Sequence, residues 1–264
     1  MAGDAPGQRV QPEQGERESE LTRALAAVRS RLAAAAEAVG RNVSEIELLP
    51  ITKFFPATDV AILSRLGCRC VGESRDQEAA AKVAEVARLA GSSERPDLRQ
   101  LQWHMVGRIQ RNKARSLARW AHTAHSIDSA RLVTALDRAV SAALAEDHRQ
   151  DPLRVYVEVS LDGDVSRGGV DITEPGAVDR VCAQVEESKS LRLLGLMGIP
   201  PLDWDPERAF DLLRSEHLRV LESHPDAVGL SAGMSNDLEM AVKHGSTCVR
   251  VGTALLGPRR LPSP

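Results

Sequence analysis

The chain has 264 residues, with 34 Lys and Arg against 37 Asp and Glu and a formal net charge of -3. Only 3% of the residues are aromatic. A chain with no basic excess and few aromatic rings lacks the positive field and the stacking surfaces that nucleic-acid binding uses. Nucleic acid is therefore not an expected partner, and the length suits one (β/α)8 barrel of roughly 250 residues.

The N-terminal segment, Met1 to Glu18, is polar and has no apolar signal-peptide core. No apolar run elsewhere approaches the ~20 residues that span a bilayer. We expect no membrane partner and a cytoplasmic location. Because residues 1–17 cannot bury enough apolar surface to offset their ordering entropy, we predict a disordered tail there, one barrel domain over 18–258, and a short C-terminal tail over 259–264.

The four cysteines, Cys68, Cys70, Cys182 and Cys248, lack metal-site spacing. Cys68 and Cys70 are expected to share one face of a strand, since side chains alternate along a strand. We interpret all four as reduced core thiols and expect no metal site.

The first predicted element is a helix from Leu21 to Val39, whose apolar positions recur at helical spacing and which ends at Gly40. Short apolar runs then alternate with amphipathic stretches, the pattern of repeated βαβ units. The predicted strands are residues 46–53, 68–73, 101–107, 121–127, 153–161, 191–199, 227–232 and 247–253. The sequence thus predicts a single-domain α/β protein, a (β/α)8 TIM-type barrel with an additional N-terminal helix. An open doubly wound sheet is the alternative, but no Gly-x-Gly-x-x-Gly opens the first helix.

Barrel enzymes place their chemistry at the C-terminal ends of the strands. Lys53 ends the first strand, where partial burial favours the neutral amine that forms a Schiff base with an aldehyde. The structural alternative is a lysine that only extends from the strand end into solvent.

Two segments near the C-terminus, residues 233–237 and 249–253, follow the seventh strand and end the eighth. Phosphate-binding barrels commonly hold the anion between these two loops, at the start of a helix. Ser235 is predicted to stand at such a helix start, where its hydroxyl either caps the helix or bonds the phosphate, and Gly233 and Gly252 let the backbone approach an anion. An amine and a phosphate cradle together indicate pyridoxal 5'-phosphate (PLP).

The motifs resemble those of the pyridoxal-phosphate homeostasis protein family, which is similar to the barrel domain of fold-type III PLP enzymes such as alanine racemase. The resemblance extends from Leu21 to Gly257. Its segments are Thr52-Lys53, Gly72-Glu73, Trp103-His104 with Gly107, Gln110 and Asn112-Lys113, Gly195-Leu196-Met197 with Ile199-Pro200, Leu230-Ser231 with Gly233-Met234-Ser235, Asp237, Glu239 and Ala241, and Gly245-Ser246-Thr247 with Val249-Arg250 and Gly252-Thr253.

The resemblance implies that Lys53 holds PLP as a covalent aldimine. It also implies that Ser235, Gly252 and Thr253 bind the phosphate near the Met234 backbone, and that Arg250 faces the pyridine nitrogen. We add His104 as a residue that stacks near the cofactor ring, with a satisfied core histidine as the alternative.

The sequence departs from the family pattern at three positions. Ser74 stands where the family has Asn, so a contact with the ring substituents is shortened or replaced by water. Arg167 stands where a Lys is common and cannot form an aldimine. Gly198 replaces an Ala, which affects packing only.

The resemblance implies a PLP-binding protein that buffers or delivers the cofactor to apo PLP-dependent enzymes and has no robust activity of its own. Arginine at the ring nitrogen weakens the ring as an electron sink, and the only tyrosine, Tyr156, lies inside the fifth strand, so a second catalytic base is missing. An amino-acid racemase with weak or partner-dependent activity is the alternative. A third hypothesis is a phosphometabolite enzyme with Lys53 as a carbonyl-trapping residue. A monomer is expected.

Overall fold

The strands form one parallel sheet that curls into a nearly closed barrel. This computed structural model describes residues 12–91 and 96–258. Its strands are β1 (Glu47–Pro50), β2 (Cys70–Glu73), β3 (Gln102–Met105), β4 (Thr123–Ile127), β5 (Leu153–Ser160), β6 (Val170–Asp171), β7 (Leu191–Gly198), β8 (Gly229–Ser231) and β9 (Cys248–Val251). The order around the sheet is β1-β9-β8-β7-β5-β4-β3-β2, and an Ile51–Gly72 bridge brings β2 back to β1.

Helices cover the outside of this barrel. They are α1 (Pro12–Ala38), α2 (Ala57–Arg65), α3 (Asp76–Gly91), α4 (Pro96–Arg99), α5 (Ala114–Trp120), α6 (Ala130–Ala145), α7 (Ala177–Glu187), α8 (Pro206–Ser223), α9 (Leu238–Lys243) and α10 (Thr253–Leu256). Short 3-10 turns occupy Val43–Glu45, Arg111–Lys113 and Val165–Arg167. Within the described ranges, no helix is long and apolar enough to cross a membrane.

The predicted (β/α)8 architecture is confirmed. Each of the eight predicted strands contains one observed strand, and β6 is an additional two-residue strand that pairs with β5. Alternation explains why β5 belongs in a barrel wall. Val155, Val157 and Val159 pack outward in the large hydrophobic core shared with the helices, while Arg154 and Tyr156 occupy the alternate, inward positions.

The N-terminal helix is longer than the sequence indicates. Residues 12–17 belong to α1 rather than to a disordered tail. The reason is a tertiary contact that composition does not reveal: the Arg17 guanidinium pairs with the buried Asp59 at 2.7 Å and lies over the Phe55 ring. The remaining parts of the two predicted tails, residues 1–11 and 259–264, lie outside the described residues.

The prediction that Cys68 and Cys70 share a strand face is wrong. The strand begins at Cys70, so Cys68 lies before it and packs in an outer cluster with α1. Cys70 instead points into the barrel, where it packs with Leu49 and Cys248.

Candidate functional site

Lys53 does not end the first strand as predicted: β1 ends at Pro50, and Lys53 lies three residues further on, half-buried in the turn at the C-terminal face of the barrel. The preceding Thr52 is fully buried, and its N–H donates to the Gly72 carbonyl at 2.9 Å. The following Phe54 has φ of +69°, a left-handed conformation that is strained for a bulky residue. The backbone on both sides of Lys53 is therefore held in a defined and unusual path.

A buried ion pair between Lys82 of α3 and Glu73 of β2 supports this strand end. The Lys82 ammonium lies 2.5 Å from Glu73 Oε1 and donates to the Thr52 carbonyl at 2.8 Å. The Thr52 hydroxyl donates to the same carboxylate oxygen at 2.7 Å. Glu73 is 0% exposed, so these bonds fix the ends of β1 and β2 relative to each other.

Ser74 follows β2 and is half-buried. It lines a cavity of about 400 Å³ together with Arg75, Gln110 and Lys113. Gly107, after β3, touches this loop so closely that a Cβ there would lie 2.1 Å from the Ser74 carbonyl oxygen. The Ser74 loop is thus packed against the end of the third strand.

The loop after β8 turns sharply at Gly233. Its φ is +91°, and a Cβ would lie 2.5 Å from Ala241 Cβ, so glycine is required there. The exposed Met234 donates its N–H to Asp237 Oδ1 at 2.5 Å. These contacts close the loop into a compact turn before α9.

Ser235 does not begin a helix as the sequence indicates. Helix α9 begins at Leu238, with Asp237 at its N-cap position, because the turn closed by Asp237 displaces the helix start. The Ser235 hydroxyl instead accepts the Ala254 N–H at 3.2 Å. This bond joins the loop after β8 to the start of α10, which is the pair of loops predicted to hold a phosphate.

Gly252 precedes α10 with φ of -108°, and a Cβ would meet nothing closer than Ile51 at 3.6 Å. The backbone conformation therefore requires glycine at Gly233 and not at Gly252, and the close approach of an anion to both glycines stays a prediction. Thr253 follows with an exposed side chain. Because β1 and β9 pair in parallel with Pro50 opposite Val251, the structure brings the Lys53 end and the Gly252–Thr253 end side by side.

Arg250 extends from β9 into the barrel and is 5% exposed. Its guanidinium donates to the Ser231 hydroxyl at 2.6 Å and to the Gly198 carbonyl at 3.1 Å. Burial lowers the pKa of Arg250, but from a value so high that the side chain stays charged. A fixed cation therefore lies beneath the strand ends, three residues before Thr253.

Glu158 is an inward residue of β5 that the sequence analysis missed. Burial raises the pKa of its carboxyl group, opposed by a hydrogen bond from Ser126 and by the charge of Arg250. The available signal was the alternation of Arg154, Tyr156 and Glu158 along an otherwise apolar strand, which places three polar side chains inside the barrel.

His104 does not lie at this face. Its Nδ1 bonds His125 Nε2 at 3.0 Å and lies 3.9 Å from the carboxylate of Glu47, the first residue of β1. The ring is therefore near the N-terminal end of the barrel, separated from Arg250 by His125 and Ser231. The predicted stacking of His104 on a cofactor ring is therefore wrong. An inward side chain lies at one end of the barrel or the other according to its position along the strand, which the sequence motif did not define.

Tyr156 also points into the barrel. It is 7% exposed, and its ring lies 4.7 Å from that of His125. Burial raises the pKa of its hydroxyl group. The chain's only tyrosine is thus a neutral core residue.

Comparison with known proteins places this barrel in a class. The alanine racemase N-terminal domain model matches residues 24–260. Alanine racemase from Corynebacterium glutamicum shares the fold at 13% identity with a TM-score of 0.61, over 94% of this chain and 62% of that one. The fold and the strand-end residues thus define a barrel of the alanine racemase N-terminal type.

Closer relatives specify the family. Pyridoxal phosphate homeostasis proteins of Mycobacterium leprae and Escherichia coli are 76% and 34% identical, over 95% and 91% of this chain and 97% of each relative. PipY of Synechococcus elongatus, whose structure has PLP bound, is 29% identical with a TM-score of 0.73, over 90% of this chain and 100% of that chain. The chain belongs to the pyridoxal phosphate homeostasis protein family.

Proposed function

We propose that this protein binds PLP as a Schiff base on Lys53 and buffers or delivers it, in the cytoplasm and as a monomer, to apo PLP-dependent enzymes. The carrying observation is that β1 ends three residues before Lys53 and pairs there with the end of β9, just before Gly252 and Thr253. The family names and the PLP-bound structure of PipY support the choice of ligand.

The donor set fits a phosphorylated aldehyde with an aromatic nitrogen. Lys53 supplies an amine, the hydroxyl groups of Ser235 and Thr253 supply phosphate donors, and Met234 supplies a loop backbone beside them. The Ser235 hydroxyl already joins the loop after β8 to the start of α10, so both loops would contact one anion. Arg250 would face the ring nitrogen, and the Ser74 hydroxyl would reach the ring substituents directly or through water.

PLP supplies an aldehyde and an electron-withdrawing ring, and the protein decides how strongly that ring withdraws electrons. Arg250 is held by Ser231 and Gly198 and stays charged, so it would donate to an unprotonated ring nitrogen and leave the ring a poor electron sink. Tyr156 lies in the core beside His125 and is not placed as a second base. These features support retention and release of PLP without robust turnover.

Borohydride reduction of the PLP-loaded protein followed by peptide mapping tests the attachment. We expect the label on Lys53, no label in Lys53→Ala, and full labelling in Lys243→Ala, because Lys243 is an exposed residue paired with Glu207. A label on Lys82, Lys113 or Lys243 would contradict the assignment.

In the same preparation, exchange of the L-alanine α-proton in deuterated water, followed by NMR, should not exceed that of free PLP. Faster exchange would favour the racemase alternative.

A further inference from the structure

Four metal-ligating side chains meet inside the barrel at its N-terminal end, away from the proposed PLP site. They are Glu47 on β1, Cys70 on β2, His104 on β3 and Cys248 on β9, and we refer to them as the floor cluster. Ligand atoms of Glu47, Cys70 and His104 all lie within 4.8 Å of one another. The Cys248 thiol donates to Glu47 Oε1 at 3.4 Å, so the fourth residue shares the same carboxylate.

His104 provides the second observation. It is 3% exposed, yet its Nε2 has no hydrogen-bond partner among the described residues, whereas Nδ1 bonds His125. Buried polar side-chain atoms normally have a partner. One ring nitrogen of His104 lies within 4.8 Å of ligand atoms of Glu47 and Cys70, and the bond to His125 is the kind of support that orients a metal-binding imidazole.

The two thiols cannot satisfy each other by oxidation. Cys248 is paired with Glu47, and β1 lies between β9 and β2. The backbones of Cys70 and Cys248 are two strands apart. At about 4.8 Å per strand spacing, the separation is larger than the ~7 Å limit for the Cα atoms of a disulfide. The thiols of Cys70 and Cys248 both lie within hydrogen-bond reach of the Glu47 carboxylate.

We propose that the floor cluster binds one divalent transition-metal ion, zinc by preference, through Cys70, Cys248, His104 and Glu47. Two thiolates, one imidazole and one carboxylate form a four-ligand zinc set. Binding releases the two thiol protons. The two thiolates and the carboxylate carry three negative charges against the two positive charges of the ion. The Arg154 guanidinium, which acts electrostatically on both Glu47 and His104, offsets the remaining negative charge.

Access and fit are consistent with this site. The Glu47 side chain is 41% exposed while that of His104 is 4% exposed, so the carboxylate provides the opening to solvent. Ligand atoms of a tetrahedral zinc site lie roughly 3.3–3.8 Å apart, given its bond lengths. The ligand atoms of Glu47, Cys70 and His104, now within 4.8 Å of one another, would approach that spacing by rotation of their side chains.

Cobalt(II) titration of the full-length, PLP-loaded protein tests the site. We expect one cobalt per chain with the visible bands of tetrahedral thiolate coordination, displaced by zinc. Affinity should rise with pH, by up to about 100-fold per unit while both thiols must lose a proton. Cys70→Ser should lower affinity at least tenfold, whereas Cys68→Ser should leave it unchanged, because Cys68 lies two residues away on the outer side of the barrel.

Glu47→Gln keeps the shape of a half-exposed side chain and guards against loss of folding. Stoichiometric zinc should raise the melting temperature of the wild type, reversibly with chelator, and should raise it less in Glu47→Gln. Absence of tetrahedral bands in the folded wild type would overturn the proposal. Equal affinity of the wild type and Cys70→Ser would overturn it as well. PLP binding at Lys53 is measured separately by its own absorbance, so neither result depends on the other.

Discussion

The two ends of the barrel interior satisfy their polar groups differently. At the C-terminal end, the Lys82 ammonium, the Thr52 hydroxyl and the Arg250 guanidinium each bond a defined partner. At the N-terminal end, His104 Nε2 and Arg154 Nε have no partner among the described residues. The C-terminal end shares this property at Glu73 Oε2. One end is thus largely completed by the protein itself, and the other has an unpartnered ligand atom, His104 Nε2, and an unpartnered donor, Arg154 Nε.

This difference also separates what a ligand does at each end. At the C-terminal end, the support for Lys53 exists before any cofactor arrives, because β1 and β2 are already joined through Glu73. At the floor cluster, an ion would supply the partner that His104 lacks. We therefore expect PLP to bind a preorganised site, and a metal ion to add stability that the free protein lacks.

Breaking the Glu73–Lys82 pair should have the largest effect. The two side chains are 0% and 10% exposed, and removing one partner of a buried pair costs about 3–5 kcal/mol because the other charge stays buried. Urea unfolding of Glu73→Gln measures this loss, and Lys82→Met added to it should recover much of the stability. Glu207→Gln, which breaks an exposed pair with Lys243, should cost under ~1 kcal/mol. Similar losses in Glu73→Gln and Glu207→Gln would show that the C-terminal end is not held in this way.

The two glycines near the proposed phosphate give a sharper comparison within that end. Gly233→Ala should destabilise by roughly 1–3 kcal/mol, since its φ is +91° and the new Cβ would lie 2.5 Å from Ala241. Gly252→Ala should stay within about 0.5 kcal/mol of the wild type, because its nearest neighbour is 3.6 Å away. Thermal unfolding of the PLP-free proteins measures both. Equal losses would contradict the assigned backbone difference.

The C-terminal end was largely predictable because its residues occur in short contiguous motifs. Lys53 follows an apolar strand, and Ser235, Gly252 and Thr253 lie in the two loops that barrels use for phosphate. The Ser235 bond to Ala254 was not predictable, since a turn shifted the start of α9 by three residues. Asp59, which pairs with Arg17 of α1, gave no local signal either, because the pairing spans a sequence separation of 42.

The floor cluster was missed for a different reason. Its members stand one to a strand, and Cys248 is 201 residues from Glu47, so no spacing pattern connects them. Only the closure of the barrel makes β9 the neighbour of β1. The cysteines were correctly seen to lack local metal-site spacing, but a site assembled by barrel closure does not need it.

The smallest predicted effect concerns how the outer helix supports the C-terminal end. Arg31 of α1 bonds both Glu239 oxygens, at 2.8 and 2.9 Å, and the Ser235 carbonyl at 3.0 Å. The Arg31 hydrogen bond lowers the pKa of Glu239 from its usual range, so this stability is present above the unfolded-state pKa and is lost as pH falls through the folded-state pKa. Because the side chains are 37% and 48% exposed, solvent screening keeps the loss in Arg31→Gln under ~1 kcal/mol at neutral pH. Urea unfolding should show the gap between wild type and Arg31→Gln narrowing in acid and in high salt, with slightly faster PLP release from the variant at neutral pH. A pH-independent gap would assign the role of Arg31 to packing or to its Ser235 bond alone.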